Sequence, residues 1–142
     1  MRKVFVVFLA VLMISCSKGG NSTATKTPKA AATTVPAAIH ASYTPQQVVN
    51  LIKQKKNLLI VDVRSPKELR AGKLRNSIMV PFWDIIRGKY NIPHNRPVLL
   101  VCAVGGRSYA AMQILAKNGY SEVYNMKGGM NEWKREGRPV VH

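Results

Sequence analysis

The sequence predicts a single α/β domain with a mostly parallel sheet. Two continuous apolar runs, residues 58–61 and 98–101, have the length and composition of strands that are buried on both faces. Two shorter strand-like segments lie at 78–80 and 123–124, and segments of helical character separate all four. Strands that alternate with helices are typical of a parallel sheet covered by helices. The chain has 142 residues and no internal repeat, which fits one domain.

The predicted helices carry recognisable start and stop signals. Thr44 and Pro45 open the first helix as its N-cap and first helical residue. Ser65 and Glu68 form a capping box, which predicts a second, short helix that runs to Gly72. Each remaining helix has a glycine at or just after its C-terminal end; their predicted ranges are 82–88, 107–118 and 131–136.

Residues 1–15 have the pattern of a bacterial lipoprotein signal peptide. Arg2 and Lys3 precede an apolar run of 11 residues, shorter than the about 20 residues that cross a bilayer. The run leads to Ser15 and Cys16, which resemble a lipobox whose cysteine is lipidated. We therefore expect a membrane anchor at Cys16 and a location in the cell envelope, on the periplasmic face of the outer membrane if the organism is Gram-negative. An ordinary cleaved signal or a short membrane anchor is the alternative.

Residues 16–41 predict a flexible tether that begins at the lipidated cysteine. Ser, Thr, Ala, Lys, Gly and Pro dominate this stretch, with almost no large apolar side chain before Ile39. Such a composition buries too little surface to offset the entropy of ordering the chain. The folded domain is therefore expected to occupy residues 42–142.

The charge of the chain is strongly basic, with 22 Lys and Arg against 6 Asp and Glu and a net charge of +16. An excess of this size suits anionic small molecules, membrane surfaces or nucleic acid. We expect no nucleic-acid partner, because there is no recognition motif and no basic stripe interleaved with aromatic residues. His40, His94 and His142 lack the spacing of metal ligands, so we expect neither a metal nor another cofactor.

The candidate site is the segment that follows the second apolar run and opens a helix. In α/β proteins, ligands bind at the carboxyl ends of parallel strands, where backbone N–H groups of a following helix converge. Glycines let such a loop curl, and an arginine adds positive charge. All of these features favour a thiolate, so we expect a nucleophilic cysteine surrounded by substrate-binding residues. The segment consists of Cys102, Ala103, Val104, Gly105, Gly106, Arg107 and Ser108.

The alternative for Cys102 is a buried cysteine that packs as a small hydrophobic residue. Two observations favour a reactive thiol. The Gly-Gly-Arg that follows has no evident packing purpose. If Cys16 is lipidated, Cys102 is the only free thiol of an exported protein, where an idle thiol is a liability.

With these motifs in place, the chain resembles the rhodanese-like domains. Residues 102–108, Cys-Ala-Val-Gly-Gly-Arg-Ser, fit the active loop of that family, C-x-x-G-x-R-[S/T/A]. Residues 61–72 match its Asp-Val-Arg strand end and the Glu-x-x-x-Gly that follows, and residues 126–139 match its C-terminal Gly-Gly…Trp…Gly-x-Pro. The resemblance covers residues 42–142 and implies a five-stranded parallel sheet flanked by helices.

The resemblance also implies a sulfurtransferase without a cofactor. Cys102 would take a sulfane sulfur from a small anionic donor, such as thiosulfate, a polysulfide or a persulfide, and pass it to a thiol or to cyanide. The amides of residues 103–108 would hold the Cys102 persulfide, and Arg107 would orient the loop or bind the donor. Arg64 would contribute to substrate binding, with Asp62 as structural support; a purely structural ion pair is the alternative for these two residues.

The sequence departs from the family pattern at two places. Where the family often has Gly-His-Ile-Pro-Gly-Ala, residues 72–77 read Gly-Lys-Leu-Arg-Asn-Ser. Asn76 takes the place of the turn glycine and tolerates the same left-handed backbone. Ala103 and Val104 bring no charge to the loop, which leaves thiosulfate, a polysulfide and a thiol persulfide open as the natural donor.

Two other functions stay open at this point. Cysteine phosphatases and arsenate reductases separate their cysteine and arginine by five residues, whereas four residues separate Cys102 from Arg107. A non-catalytic sulfur carrier or redox-sensing module, serving an acceptor protein, is the alternative from another class, and a tethered domain suits such a delivery role.

Overall fold

The fold is a five-stranded parallel sheet with helices on both faces, seen in a computed structural model that describes residues 37–142. The strands are β1 (Ile39–Tyr43), β2 (Leu59–Asp62), β3 (Ile78–Met79), β4 (Val98–Val101) and β5 (Glu122–Met126). The helices are α1 (Pro45–Gln54), α2 (Pro66–Leu69), α3 (Phe82–Ile86), α4 (Gly106–Lys117) and α5 (Gly129–Arg135). The strand order is β1-β5-β4-β2-β3, and every pairing is parallel. The predicted fold class is confirmed.

The sheet separates two hydrophobic cores, because successive side chains of a strand point to opposite faces. Leu100 of β4 packs with residues of α3 and α4, whereas its neighbour Leu99 packs with residues of α1 and α5. All four residues of β2 and all four of β4 are buried. The two apolar runs of the sequence therefore mark the two strands that are covered by helices on both faces.

The first strand corrects the predicted boundary of the folded domain. Residues 39–41, expected to belong to the tether, form β1 together with Ser42 and Tyr43. This edge strand pairs with β5 from Ile39 opposite Glu122 to Tyr43 opposite Met126. None of its five residues is fully buried, so β1 forms through pairing with its neighbour and carries little hydrophobic signal of its own. The predicted signal peptide and Cys16 lie outside the described residues, and lipidation stays a prediction.

Both predicted N-caps are confirmed. Thr44 Oγ1 accepts a hydrogen bond from the Gln47 amide at 3.4 Å, and Gln47 Oε1 accepts one from the Thr44 amide at 2.9 Å. Ser65 and Glu68 make the same reciprocal pair at α2. The second helix ends at Leu69 and not at Gly72 as predicted. Within residues 37–142, no helix combines the length and the apolar character needed to cross a membrane.

The turn before β3 depends on a left-handed residue. Asn76 has a φ of 61° and is the only non-glycine residue in the described part of the chain with a positive φ. The expectation that asparagine would preserve this turn is confirmed. The conformation is strained for residues with a Cβ, but asparagine and glycine tolerate it best.

We predict that Asn76→Ala lowers the free energy of unfolding by about 1 kcal/mol relative to Asn76→Gly, because alanine must hold a left-handed backbone without help from a polar side chain. Urea unfolding of the two variants beside the wild type measures this difference. Equal stability of the alanine and glycine variants would show that the turn does not require a left-handed residue.

Candidate active site

Cys102 lies directly after β4, where the loop to α4 wraps around its sulfur. The residue has no exposed surface. Its Sγ accepts hydrogen bonds from the amide of Gly105 at 3.0 Å and from the hydroxyl of Ser108 at 3.3 Å. Gly105 has a φ of 94°, a left-handed conformation that lets its amide turn back toward the sulfur. Of the predicted segment, Gly105 and Ser108 thus converge on the sulfur.

The surroundings of the sulfur favour its anionic form. Burial by itself raises the pKa of the Cys102 thiol, because it removes water from the charged state. The hydrogen bonds from Ser108, Gly105 and Val104 act in the opposite direction, and the net result is a pKa below the ordinary value. The same donors are placed to hold a persulfide anion on Cys102.

The N-terminus of α5 holds the loop in this shape. The amide of Met130 donates to the carbonyl of Cys102 at 2.8 Å, and the amide of Asn131 donates to the carbonyl of Ala103 at 3.0 Å. Because a trans peptide points its C=O and N–H in opposite directions, fixing the Ala103 carbonyl on α5 turns the Val104 amide toward the other side. The hydrogen bonds to α5 therefore leave the amides of the loop available to the sulfur.

Gly129, the first residue of α5, makes this close approach feasible. Gly129 has a φ of 57°, and a Cβ added to it would lie 2.3 Å from the carbonyl oxygen of Cys102 and 2.6 Å from the carbonyl carbon of Ala103. Real Cβ atoms do not approach backbone atoms this closely. The second glycine of the C-terminal Gly-Gly motif thus has a structural reason: it lets α5 touch the backbone of the active loop.

Arg107 pairs with Glu68. Its Nη1 donates to Oε2 at 3.0 Å and its Nη2 donates to Oε1 at 2.5 Å, a bidentate pair between α4 and α2. The Arg107 hydrogen bond is the main reason that the pKa of Glu68 falls to about 2. Both side chains are about one third exposed. Of the two roles expected for Arg107, these contacts favour orientation of the loop.

Asp62 and Arg64 form a buried ion pair, with 1% and 3% of their surfaces exposed. Arg64 Nη2 lies 2.7 Å from Asp62 Oδ2 and donates to the carbonyl of Gly72 at 2.9 Å, while its Nη1 donates to the carbonyl of Glu68 at 3.3 Å. The guanidinium therefore links the end of β2 to both ends of the turn after α2. These contacts favour the structural ion pair over the expected substrate-binding role of Arg64.

One residue of the site was not predicted. Asn125 of β5 is 3% exposed, and its Oδ1 accepts a hydrogen bond from Ser108 Oγ at 2.6 Å. Its Nδ2 donates to Ser42 Oγ on β1 at 3.0 Å. The signal in the sequence was weak, because the predicted last strand covered only residues 123–124 and ended before this asparagine.

The remaining loop residues form its outer surface. Val104 is 64% exposed, whereas Gly105 and Ser108 are buried. The outer side of the loop is therefore apolar and uncharged. In the part of the chain that the structure describes, no three His, Cys, Asp or Glu side chains lie close enough together to hold a metal ion.

Comparison with known proteins agrees with this arrangement. A sequence model of the rhodanese-like domain matches residues 44–136. The chain belongs to the rhodanese-like domain family. A sulfurtransferase of Allochromatium vinosum is 36% identical over 85 residues, which cover 60% of this chain and 79% of that protein. A thiosulfate sulfurtransferase of Vibrio cholerae is 28% identical over 87 residues, covering 61% and 82% of the two chains.

A solved structure shows the same rhodanese-like fold. The rhodanese-related protein of Thermoplasma volcanium superposes with a TM-score of 0.63 at 32% sequence identity. The superposition covers 71% of this chain and 97% of that protein.

We predict that Gly129→Ala destabilises the protein by at least about 2 kcal/mol and raises the pKa of the Cys102 thiol, because the added Cβ displaces the backbone of the active loop. Urea unfolding and the pH dependence of alkylation by iodoacetamide measure the two effects. Gly137→Ala is the matched control, since Gly137 has a similar φ of 66° and nothing within 4 Å of its Cβ position. Identical behaviour of the two variants would contradict the contact with the loop.

We predict that Glu68→Gln reduces stability in a pH-dependent way. Glutamine preserves the capping box but not the charge that pairs with Arg107. The folded pKa of Glu68 is about 2, below the ordinary 4.5, so the charged pair stabilises the fold above about pH 4.5 and this contribution disappears as the pH falls through about 2. The difference in unfolding free energy between wild type and variant should therefore shrink between those values. A difference that stays constant with pH would argue against the ion pair.

Proposed function

We propose that the protein is a sulfurtransferase that moves a sulfane sulfur through a Cys102 persulfide. The observation that carries this proposal is the convergence of the loop donors on a single sulfur atom. Gly105 and Ser108 donate to Cys102 Sγ at 3.0 Å and 3.3 Å, and these bonds lower the pKa of the thiol against the effect of burial. Family membership and the sulfurtransferases among its relatives support the same reaction.

The reaction consists of two displacements. The Cys102 thiolate attacks the outer sulfur of the donor, a new S–S bond forms, and the donor's own sulfur bond breaks with its electron pair. Thiosulfate leaves as sulfite, and a persulfide leaves as a thiolate. An acceptor thiolate or cyanide then attacks the terminal sulfur of the persulfide and returns Cys102 as a thiolate. The loop amides stabilise the negative charge before and after each step.

The contacts of Arg107 weigh against a phosphatase. An arginine that clamps a phosphate typically offers two parallel N–H groups of its fork to the oxyanion. Both terminal nitrogens of Arg107 are bonded to Glu68, and only four residues separate it from Cys102. The loop therefore suits a one-atom sulfane sulfur better than a tetrahedral anion.

The character of the loop favours a donor or acceptor that carries its sulfur on an uncharged body. Arg107 and Arg64 are both paired with carboxylates, and the exposed Val104 adds no charge. A thiol persulfide fits these surroundings at least as well as thiosulfate. Because Cys102 has no exposed surface, the donor sulfur reaches it only as the loop around Val104 gives way.

The apolar exposed Val104 also favours the second candidate, a sulfur carrier that hands its persulfide to a partner protein. In that case the partner, and not a small thiol, would supply the acceptor. The two candidates share the Cys102 persulfide and differ in turnover with small molecules.

We predict that the wild-type protein gains the mass of one sulfur atom after exposure to thiosulfate, polysulfide or glutathione persulfide, and that Cys102→Ser does not, because only the thiolate in the loop can hold the persulfide. Intact mass spectrometry measures the adduct, and thiosulfate:cyanide sulfurtransferase activity measures turnover. Cys16→Ser is the control that assigns the adduct, since it leaves Cys102 as the only cysteine.

The outcomes separate the candidates. Adduct and turnover together identify an enzyme, and an adduct without turnover favours the carrier. If no donor modifies Cys102, the sulfurtransferase proposal is wrong.

A further inference from the structure

A chain of polar side chains, buried at Ser108 and Asn125 and half-buried at Ser42, connects the sulfur to the edge of the sheet. Ser108 of α4 contacts Cys102, Asn125 of β5 contacts Ser108, and Ser42 of β1 contacts Asn125. Ser42 and Asn125 are register partners on neighbouring strands, so their side chains share one face of the sheet. An asparagine on an inward-facing position of a central strand is costly unless its hydrogen bonds are satisfied. Here one bond leads through Ser108 to the thiol, and the other leads to Ser42 on the edge strand.

The hydroxyl of Ser108 has more acceptors than hydrogens. It lies 2.6 Å from Asn125 Oδ1, 3.2 Å from the carbonyl of Gly105 and 3.3 Å from Cys102 Sγ. A serine hydroxyl has one hydrogen to donate. In the arrangement of the structure, the short contact directs that hydrogen to Asn125, and the sulfur receives less from Ser108 than the three distances suggest.

A half turn of the Asn125 side-chain amide reverses the direction of the hydrogen bonds that link Ser42, Asn125 and Ser108. The two ends of the amide have nearly the same shape and exchange places on rotation. Asn125 Nδ2 then donates to Ser108 Oγ, Ser42 Oγ donates to Asn125 Oδ1, and the Ser108 hydrogen is free for Cys102 Sγ. Each group keeps a partner in both arrangements, and no proton moves from one residue to another.

We propose that Asn125 is a positioning residue whose amide directs the single hydrogen of Ser108 toward Cys102 Sγ when the sulfur is a thiolate or persulfide anion, and away from it when the sulfur carries a proton. The inference deepens the proposed function, on which it rests for its role in sulfur transfer. A protonated thiol has its own hydrogen and needs no donor. An anionic sulfur gains a third hydrogen bond beside the loop amides, without any movement of the backbone.

The charged groups around the loop do not replace this chain. Arg107 is paired with Glu68, and Arg64 with Asp62, from α4, α2 and the end of β2. From β1, the side chain of His40 contacts the carbonyl of Tyr120 at 2.7 Å. The charged and titratable groups to be considered when Cys102 is titrated are therefore these two ion pairs and His40.

The direct test is NMR of the Asn125 side-chain amide in the wild-type protein. We expect its Nδ2 and amide hydrogen signals to shift during a pH titration with the same midpoint as thiolate formation, which absorbance at 240 nm follows separately. Conversion of Cys102 to its persulfide with polysulfide should cause the same shift. In Cys102→Ser the signals should stay in place over that range, which also separates the response to the sulfur from any response to His40. If Cys102 ionises while the Asn125 signals of the wild type do not move, the proposal is wrong.

Variants provide the second test. Asn125→Asp preserves the shape but cannot donate to Ser108 in its ionised form, so the Ser108 hydrogen stays on the carboxylate. We expect alkylation of Cys102 below its pKa to slow about tenfold, equivalent to about one pKa unit. In a Ser108→Ala background the same substitution should change the rate less than about threefold, because the connecting hydroxyl is absent. An equal effect in both backgrounds would assign it to the charge alone and overturn the role of Ser108.

These measurements need no sulfur donor except in the persulfide experiment. Movement of the Asn125 amide with thiolate formation, combined with failure to form any persulfide, would preserve the hydrogen-bond chain and reject only the sulfurtransferase.

Discussion

The active loop depends on the hydrogen bonds that join its carbonyls to the start of α5. The amides of Met130 and Asn131 hold the carbonyls of Cys102 and Ala103. A loop of this length has several amides and several carbonyls, and only an external partner for the carbonyls lets the amides face one anion. The active-loop motif comprises only residues 102–108, yet the geometry of this loop is fixed by a helix that begins 27 residues after the cysteine, at Gly129.

These hydrogen bonds require the backbone of α5 to lie very close to the backbone of the active loop. The backbone of α5 contacts the backbone of the loop at Gly129, where no side chain fits. Position 129 therefore requires glycine for two reasons: a Cβ would collide with the loop backbone, and the residue has a positive φ. It also explains why the site cannot be understood as a cysteine loop alone, since its second half is contributed by the C-terminal part of the fold.

The arginines near the active site are paired with carboxylates, although the protein as a whole is very basic. The chain has a net charge of +16, but both arginines near the sulfur are bonded to carboxylates. The anionic sulfur is stabilised chiefly by the dipoles of backbone amides, which keep their orientation when charge arrives or leaves, and by the hydroxyl of Ser108. The excess positive charge elsewhere acts over longer distances, where it raises the local concentration of anions in general. Short-range stabilisation of the sulfur and long-range attraction of anions thus arise from different parts of the molecule.

The sequence by itself determined the fold class, both fully buried strands, the caps of α1 and α2, and the segment that surrounds Cys102. These features are local: a continuous apolar run, a capping box or a glycine before an arginine is complete within a few residues. Even Asn76 was interpretable, because a left-handed turn needs only its own residue. Family resemblance added the number of strands and the expected chemistry of the loop.

Tertiary structure decided what depends on partners distant in the chain. Strand β1 forms because it pairs with β5. Its own residues are too polar and too exposed for the sequence to predict a strand. The contacts of Arg64 and Arg107 depend on which carboxylates lie beside them. The position of Asn125 depends on the strand register, which places it between Ser42 and Leu100. Hydrogen bonds and ion pairs are short-ranged, so their partners are known only when the chain has brought them within a few ångströms.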